Sequence, residues 1–178
     1  KITSGLSIDQ NSHSCGFKVT RIETISEGVV NINKVGFIET NNNIEDYKLK
    51  NGDILFSNIN SVSHIGKTAI LLEEYNLYHG MNLLCLRTYK NVNPKFLFFV
   101  LNTTRMRNYF KSICNQAVSQ ASINKTDLGK TILDIPSLSE QAKIANFLSA
   151  IDDKINHTRK QIEKAGLWKK GLMQQMFV

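Results

Sequence analysis

Ile135-Pro136-Ser137-Leu138-Ser139-Glu140-Gln141-Ala142-Lys143-Ile144 is where one kind of sequence gives way to another. Pro136 lacks the amide hydrogen that a continuing ladder needs and stops a short apolar run, Ile132 to Ile135, read as a final strand. Ser137-Leu138-Ser139-Glu140 then spells a capping box, in which a Ser oxygen and a Glu carboxylate satisfy the orphan amides of a helix start. Beyond it Ile144, Leu148, Ile151, Ile155, Thr158, Ile162, Ala165, Lys169, Leu172 and Met176 recur in alternating steps of four and three. At 1.5 Å per residue such a helix is ~60 Å long, more than a small domain covers. An apolar heptad seam of that length predicts pairing with another helix as a coiled coil. Packing back onto its own domain is the alternative, and Thr158, Gly166, Lys169 and Gly171 weaken the second half.

Upstream the patterning changes to strands and turns. Phe17 to Ile22 and Val35 to Ile38 alternate apolar with polar, while Ala69 to Leu72 and Leu83 to Leu86 are short apolar runs suited to buried strands. Asn51-Gly52, between Tyr47-Lys48-Leu49 and Ile54-Leu55-Phe56, carries a hairpin signal. Thr40 to Ile44 reads as an exposed loop. Asn93-Pro94 opens a helix expected to reach Cys114, with Pro at the first helical position. Residues 115–130 are polar and read as irregular. The expected class is α/β (α+β): a mixed-sheet domain over residues 1–136, followed by a long coiled-coil-forming helix over 137–178.

Composition narrows the function. The 178 residues carry a formal charge of +7, and no apolar run approaches the length of a membrane span. The charge is concentrated: residues 1–86 are net −2, 87–130 net +7, 131–139 net −1 and 140–178 net +3. A basic block beside a near-neutral half points to a polyanion, although a solvated helix face gives the same count. Cys15, Cys85 and Cys114 are odd in number and far apart, which fits reduced thiols in the cytoplasm. His13, His64, His79 and His157 lack metal-ligand spacing. The start, Lys1-Ile2-Thr3-Ser4-Gly5, has no signal core and reads as a fragment, a processed chain or a trimmed one.

Catalytic motifs fail at specific places. Ser61-Val62-Ser63-His64-Ile65-Gly66-Lys67-Thr68 nearly spells a phosphate-binding loop, but Ser61 stands where the first glycine must be. Asp46-Tyr47-Lys48 and Asp152-Asp153-Lys154 have nuclease-like spacing without the preceding proline. Neither a methyltransferase tetrapeptide nor a G-x-S-x-G elbow is present. The chain is expected to bind no metal or cofactor and to catalyse nothing alone. A stand-alone nuclease or nucleotide hydrolase built on Gly66-Lys67-Thr68 is the enzymatic alternative, and a coiled-coil adaptor without DNA contact the structural one.

Bases are read by Arg, Asn and Gln, and phosphates held by Lys, Ser and Thr. Three segments supply them. Ser57 to His64 brings Asn58, Asn60, Ser61 and His64, with Lys67 behind; Thr103 to Asn108 brings Arg105 and Arg107, with Lys111; and Asn115 to Lys125 brings Gln120 and Lys125. Arg21 is a weaker addition from the first strand.

Together these features resemble a type I restriction–modification specificity subunit over nearly the whole chain. The resemblance is carried by Lys1-Ile2-Thr3-Ser4-Gly5, Tyr47 to Phe56 with Gly52-Asp53-Ile54-Leu55, His64-Ile65-Gly66-Lys67, Gly80-Met81-Asn82-Leu83-Leu84 and Gln120-Ala121-Ser122-Ile123-Asn124. It is strongest at Pro136 to Leu148, with Glu140-Gln141 and Ile144-Ala145, and runs on through Lys169 to Phe177. It implies a target recognition domain that reads one half of a split double-stranded DNA site, and a spacer helix paired antiparallel with another. It further implies docking to methyltransferase and restriction subunits, which would carry S-adenosylmethionine, ATP and Mg²⁺. Ile144, Leu148, Ile151, Ile155, Ile162 and Leu172 are then the pairing face. A full specificity subunit has two recognition domains and two helices. This chain has one of each, so it reads either as a half-subunit that pairs with itself or as the C-terminal half of a longer chain. The family's lead-in Trp is also missing; the single Trp is Trp168.

Overall fold

The computed structural model describes residues 1–11, 15–25, 28–117 and 120–177. At its centre β1 (Ile2–Ser4), β4 (Ile54–Phe56), β6 (Thr68–Ile70) and β8 (Leu84–Leu86) form an antiparallel sheet in the order β1-β8-β4-β6. The two inner strands are buried on both faces, and alternation along them feeds two cores. Ile54, Phe56, Leu84 and Leu86 point to one side, with Ile65, Leu101, Met106, Phe110 and Ile123. Leu55 and Cys85 point to the other, with Ile25, Leu49, Leu71, Leu77 and Leu83. Burial pushes the Cys85 thiol up to about 12.

A second, mixed sheet joins β2 (Phe17–Thr20) antiparallel to β3 (Val35–Ile38) and parallel to β7 (Leu77–Tyr78). The third is small: β5 (Ile59–Asn60), β10 (Ala121–Ser122) and β9 (Asn115–Gln116), in the order β5-β10-β9.

The Asn51-Gly52 turn forms, with Gly52 at φ +86, but it does not join two paired strands. Its leading arm ends in a 3-10 turn, Glu45–Tyr47. Leu49 then donates to Leu77 O, and Lys48 bridges Tyr78. Asp53, at the head of β4, is buried and held bidentately by Arg87 Nε and Nη2, both at 2.7 Å. The Lys50 amide donates to the same carboxylate. A buried carboxylate needs such pairing, and the pair ties the turn to the end of β8. Nearby His79 donates Nε2–H to Leu83 O, and burial lowers its pKa below the ordinary value.

The expected helix from Pro94 to Cys114 is two helices, α1 (Pro94–Leu101) and α2 (Thr104–Ile113). Asn93 caps the first by accepting from Phe96 N–H, and Thr103 caps the second by accepting from Met106 N–H. Residues 115–130, expected to be irregular, supply β9, β10 and α3 (Lys125–Gly129). Ile132 to Ile135 belongs to no strand, and Ile132 is 92% exposed, so the expected final strand is not there.

α4 (Leu138–Met176) starts where expected, with Ser137 Oγ accepting from Glu140 N–H at 3.3 Å. Its first turns pack on α1 through Gln141 and Ala145, 1% and 0% exposed. Gln141 Oε1 accepts from Asn93 N–H at 2.8 Å, while its Nε2 donates to Pro136 O and Asn91 O. That one amide fastens the helix to the start of α1. Ile144 and Leu148 are half-buried, so the start of the expected seam faces its own domain's side; every residue from Ala150 to Lys170 is exposed. Among the described residues no helix is long and apolar enough to cross a membrane.

Gln141→Ala leaves three backbone groups without partners and is expected to lower unfolding stability by about 2–3 kcal/mol in urea titrations. Gly166→Ala, in open space within α4, is expected to raise stability slightly instead.

Candidate nucleic-acid interface

The segment 57–67 is a loop closed on itself. Ser57 N–H donates to Lys67 O at 2.8 Å and Gly66 N–H returns to Ser57 O at 2.9 Å. Inside it Asn60 Nδ2 donates to Ser57 Oγ, and Asn60 Oδ1 accepts from Ser61 N–H. A helical turn follows, with His64 and Ile65 N–H both on Ser61 O. Ile65 is buried, and Gly66 takes φ +74 against Phe110, whose ring carbon would lie 2.7 Å from any added Cβ. Ser61, Val62, Ser63 and His64 remain exposed at the tip.

This geometry rules out a phosphate-gripping loop. Such a loop must run into a helix whose first amides face the phosphates. Here Gly66-Lys67-Thr68 runs into β6, and Thr68 is buried in the sheet.

The ladder brings the first and third sequence segments together. Ala121 faces Asn60 on one side and Gln116 on the other, while Ile123 N–H donates to Asn58 O. Two-residue strands of polar residues have no local signal; their pairing exists because Ala121 and Ile123 are buried in the core beneath. Gln120 is exposed beside this ladder; its neighbours Val118 and Ser119 lie outside the described residues. Asn58 is half-buried, and its Oδ1 has no partner.

The second segment lies on α2. Met106 and Phe110 face the core, and Phe110 meets Phe56 edge-on. Arg105 and Lys111 are exposed. Arg107 is half-buried and donates Nη2–H to Asn102 Oδ1 at 3.0 Å, and Asn102 Nδ2 donates to Thr68 Oγ1. Burial lowers the Arg107 pKa, and part of its fork is committed to holding α2 against β6. Asn102 went unremarked as a site residue; a polar triplet, Asn102-Thr103-Thr104, inside an apolar helical stretch was the available signal.

The remaining candidates sit elsewhere. Arg21 leaves the end of β2 in the second sheet and donates Nε–H to Gln10 Oε1 and Nη2–H to Asn11 O. Lys125 is exposed at the start of α3, lining a 520 Å³ cleft with Lys1, Asp46 and Lys48. On α4, Ile151, Ile155, Ile162 and Leu172 are 41, 42, 67 and 37% exposed.

The fold belongs to a known class. Residues 7–164 match the model of the type I restriction modification DNA specificity domain, and the chain belongs to that family. It is 44% identical, over 99% of its length, to a putative type I restriction enzyme MjaX specificity subunit of Methanocaldococcus jannaschii. It is 25% identical, over 93% of its length, to the type I restriction enzyme EcoKI specificity subunit of Escherichia coli strain K12. The chain spans 42% and 36% of those two proteins. Two solved structures share the fold. One, from a study of the complex assembly and conformational transition of the type I R-M system, has a TM-score of 0.65 at 19% identity, over 92% of this chain and 38% of that one. The other, a type I restriction-modification S subunit from M. genitalium, has a TM-score of 0.56 at 16% identity, over 88% and 37%.

Gly66→Ala places a side chain against Phe110 in a left-handed conformation, and is expected to cost about 2 kcal/mol of stability in thermal unfolding monitored by circular dichroism.

Proposed function

We propose that this chain is a non-catalytic DNA-specificity module of a type I restriction–modification system, reading one half of a bipartite duplex site. The carrying observation is the β5-β10-β9 ladder, which joins two polar segments distant in sequence, beside an α2 that exposes Arg105 and Lys111. Residues 1–136 act as the reader and 137–178 as the spacer. In this reading the chain works in the cytoplasm. Methyltransferase and restriction subunits dock on the assembly and carry S-adenosylmethionine, Mg²⁺ and ATP; this chain binds none of them.

The exposed apolar positions of α4 support pairing with a second helix, either from another copy or from the other half of a longer subunit. Covering them is favourable at about 25 cal/mol per Å² of apolar surface. An antiparallel pair of such helices holds two readers at a set separation.

The first test is duplex binding by the chain with methyltransferase subunits, measured across salt. Arg105→Ala is expected to weaken binding by about 1–3 kcal/mol with relaxed preference at one base pair; a loss uniform over sequences assigns Arg105 to phosphate. Binding no duplex at any salt would reject the proposal in favour of an adaptor. The second test is mass by light scattering, where the paired change Ile151→Asp and Ile155→Asp is expected to halve the mass. An unchanged mass rejects pairing through this face.

A further inference from the structure

We infer that His64 is a base-reading residue whose tautomer is fixed by two serines, so that it presents an Nε2–H donor to a hydrogen-bond acceptor on a base edge. The inference rests on the DNA-reading function proposed above and names the chemistry at one point of it.

Ser61 Oγ and Ser63 Oγ each lie 2.9 Å from His64 Nδ1, and 3.0 Å from one another. A neutral imidazole has one bare nitrogen and one N–H, and the partner of one nitrogen fixes the state of the other. Two hydroxyls meeting a bare Nδ1 use both their protons inside the cluster. Meeting an Nδ1–H instead, they turn one hydroxyl proton out of the cluster to solvent. The bare Nδ1 is therefore the better-satisfied arrangement, and the ring proton sits on Nε2.

Three features make this donor suited to a base rather than a phosphate. The exposed tip, Ser61 to His64, contains no Lys or Arg, Lys67 lying at the loop's closure instead, whereas phosphate contacts favour cations. The tip is exposed, yet its backbone is pinned by the Ser57–Lys67 closure and by Gly66 seated on Phe110. A donor of fixed position costs little to order on binding. The matching acceptors are purine N7, guanine O6 and thymine O4 in the major groove.

The test is selection of bound sequences from a random duplex library by the full chain with methyltransferase subunits. It uses wild type, His64→Asn, His64→Gln and the double change Ser61→Ala and Ser63→Ala. His64→Asn keeps an amide near Nδ1 but cannot reach the Nε2 position; it is expected to flatten a preference of about tenfold at one base pair and leave the other positions intact. His64→Gln restores a donor near Nε2 and is expected to keep most of that preference. The double serine change is expected to blunt it. Removing the acceptor at that position, by a 7-deaza purine for N7, a 2-aminopurine for guanine O6 or a thymine analogue lacking O4, is expected in one of the three cases to weaken wild-type binding but not His64→Asn. In ¹⁵N spectra of the free chain the His64 ring is expected as the Nε2–H tautomer. An Nδ1–H tautomer overturns the inference. So does a His64→Asn motif identical to wild type, or a loss equal for all sequences. A wild-type chain that enriches no motif overturns the DNA-reading function itself and this inference with it.

Discussion

Everything else in the molecule hangs on β4 and β8 being dry on both faces. Ile54-Leu55-Phe56 and Leu84-Cys85-Leu86 pair across the middle of the sheet, and each residue is buried whichever way it points. A strand pair in that position carries no solvent-facing chemistry; polar groups are confined to its ends and to what is attached there. Asp53 and Arg87 close one end as a buried bidentate pair. The loop after Phe56 leaves from the other, and its rigidity is inherited from the strand beneath it.

That loop is ordered by hydrogen bonds more than by apolar contact. Ser57, Asn60 and Ser61 bond to one another and to the loop's own backbone, while Ile65 is the anchor that reaches the core. Such an arrangement offers polar groups in set positions while spending little of the apolar surface available. The short ladder to Ala121 and Gln116 extends the same device to a segment some sixty residues further along. Recognition surfaces built on short edge strands inherit the order of the core without being part of it.

Much of this was legible in the residues, and the rest fails for identifiable reasons. The starts of α1 and α4 were plain because Asn93-Pro94 and Ser137 to Glu140 are local capping signals whose hydrogen bonds close within four residues. The apolar runs at β4, β6 and β8 were likewise local. The break between α1 and α2 was missed because Thr103 is a cap inside an otherwise helical pattern, and its effect depends on Asn102 finding Thr68 across the fold. β9 and β10 pair two residues at a time with partners far away in sequence, so nothing periodic announces them. Ile132 to Ile135 misled in the opposite sense, being apolar by composition yet joining no sheet, with Leu133 alone packed against the core and Ile132 left on the surface. Gln141 sits three residues before Ile144, on the seam itself, and looked like a helix-opening motif residue; only the fold shows that its amide is the joint. Of the candidate site, the segments at 57–64 and 115–122 meet, whereas Arg21 and Lys125 do not share their ladder.

The attachment of α4 makes it a lever. It is held to the rest of the molecule over about its first three turns, as far as Ser149, and roughly 27 residues, or about 40 Å, extend past the last of that contact. Angular play at the joint is multiplied by that arm, so a tilt of only about 5° displaces the far end by about 3.5 Å, one base-pair step of B-form DNA. In the proposed spacer role, such play would alter the separation that the helix sets. The Gln141 amide, gripping Asn91, Asn93 and Pro136 at once, therefore sets the direction of the helix as well as stabilising it.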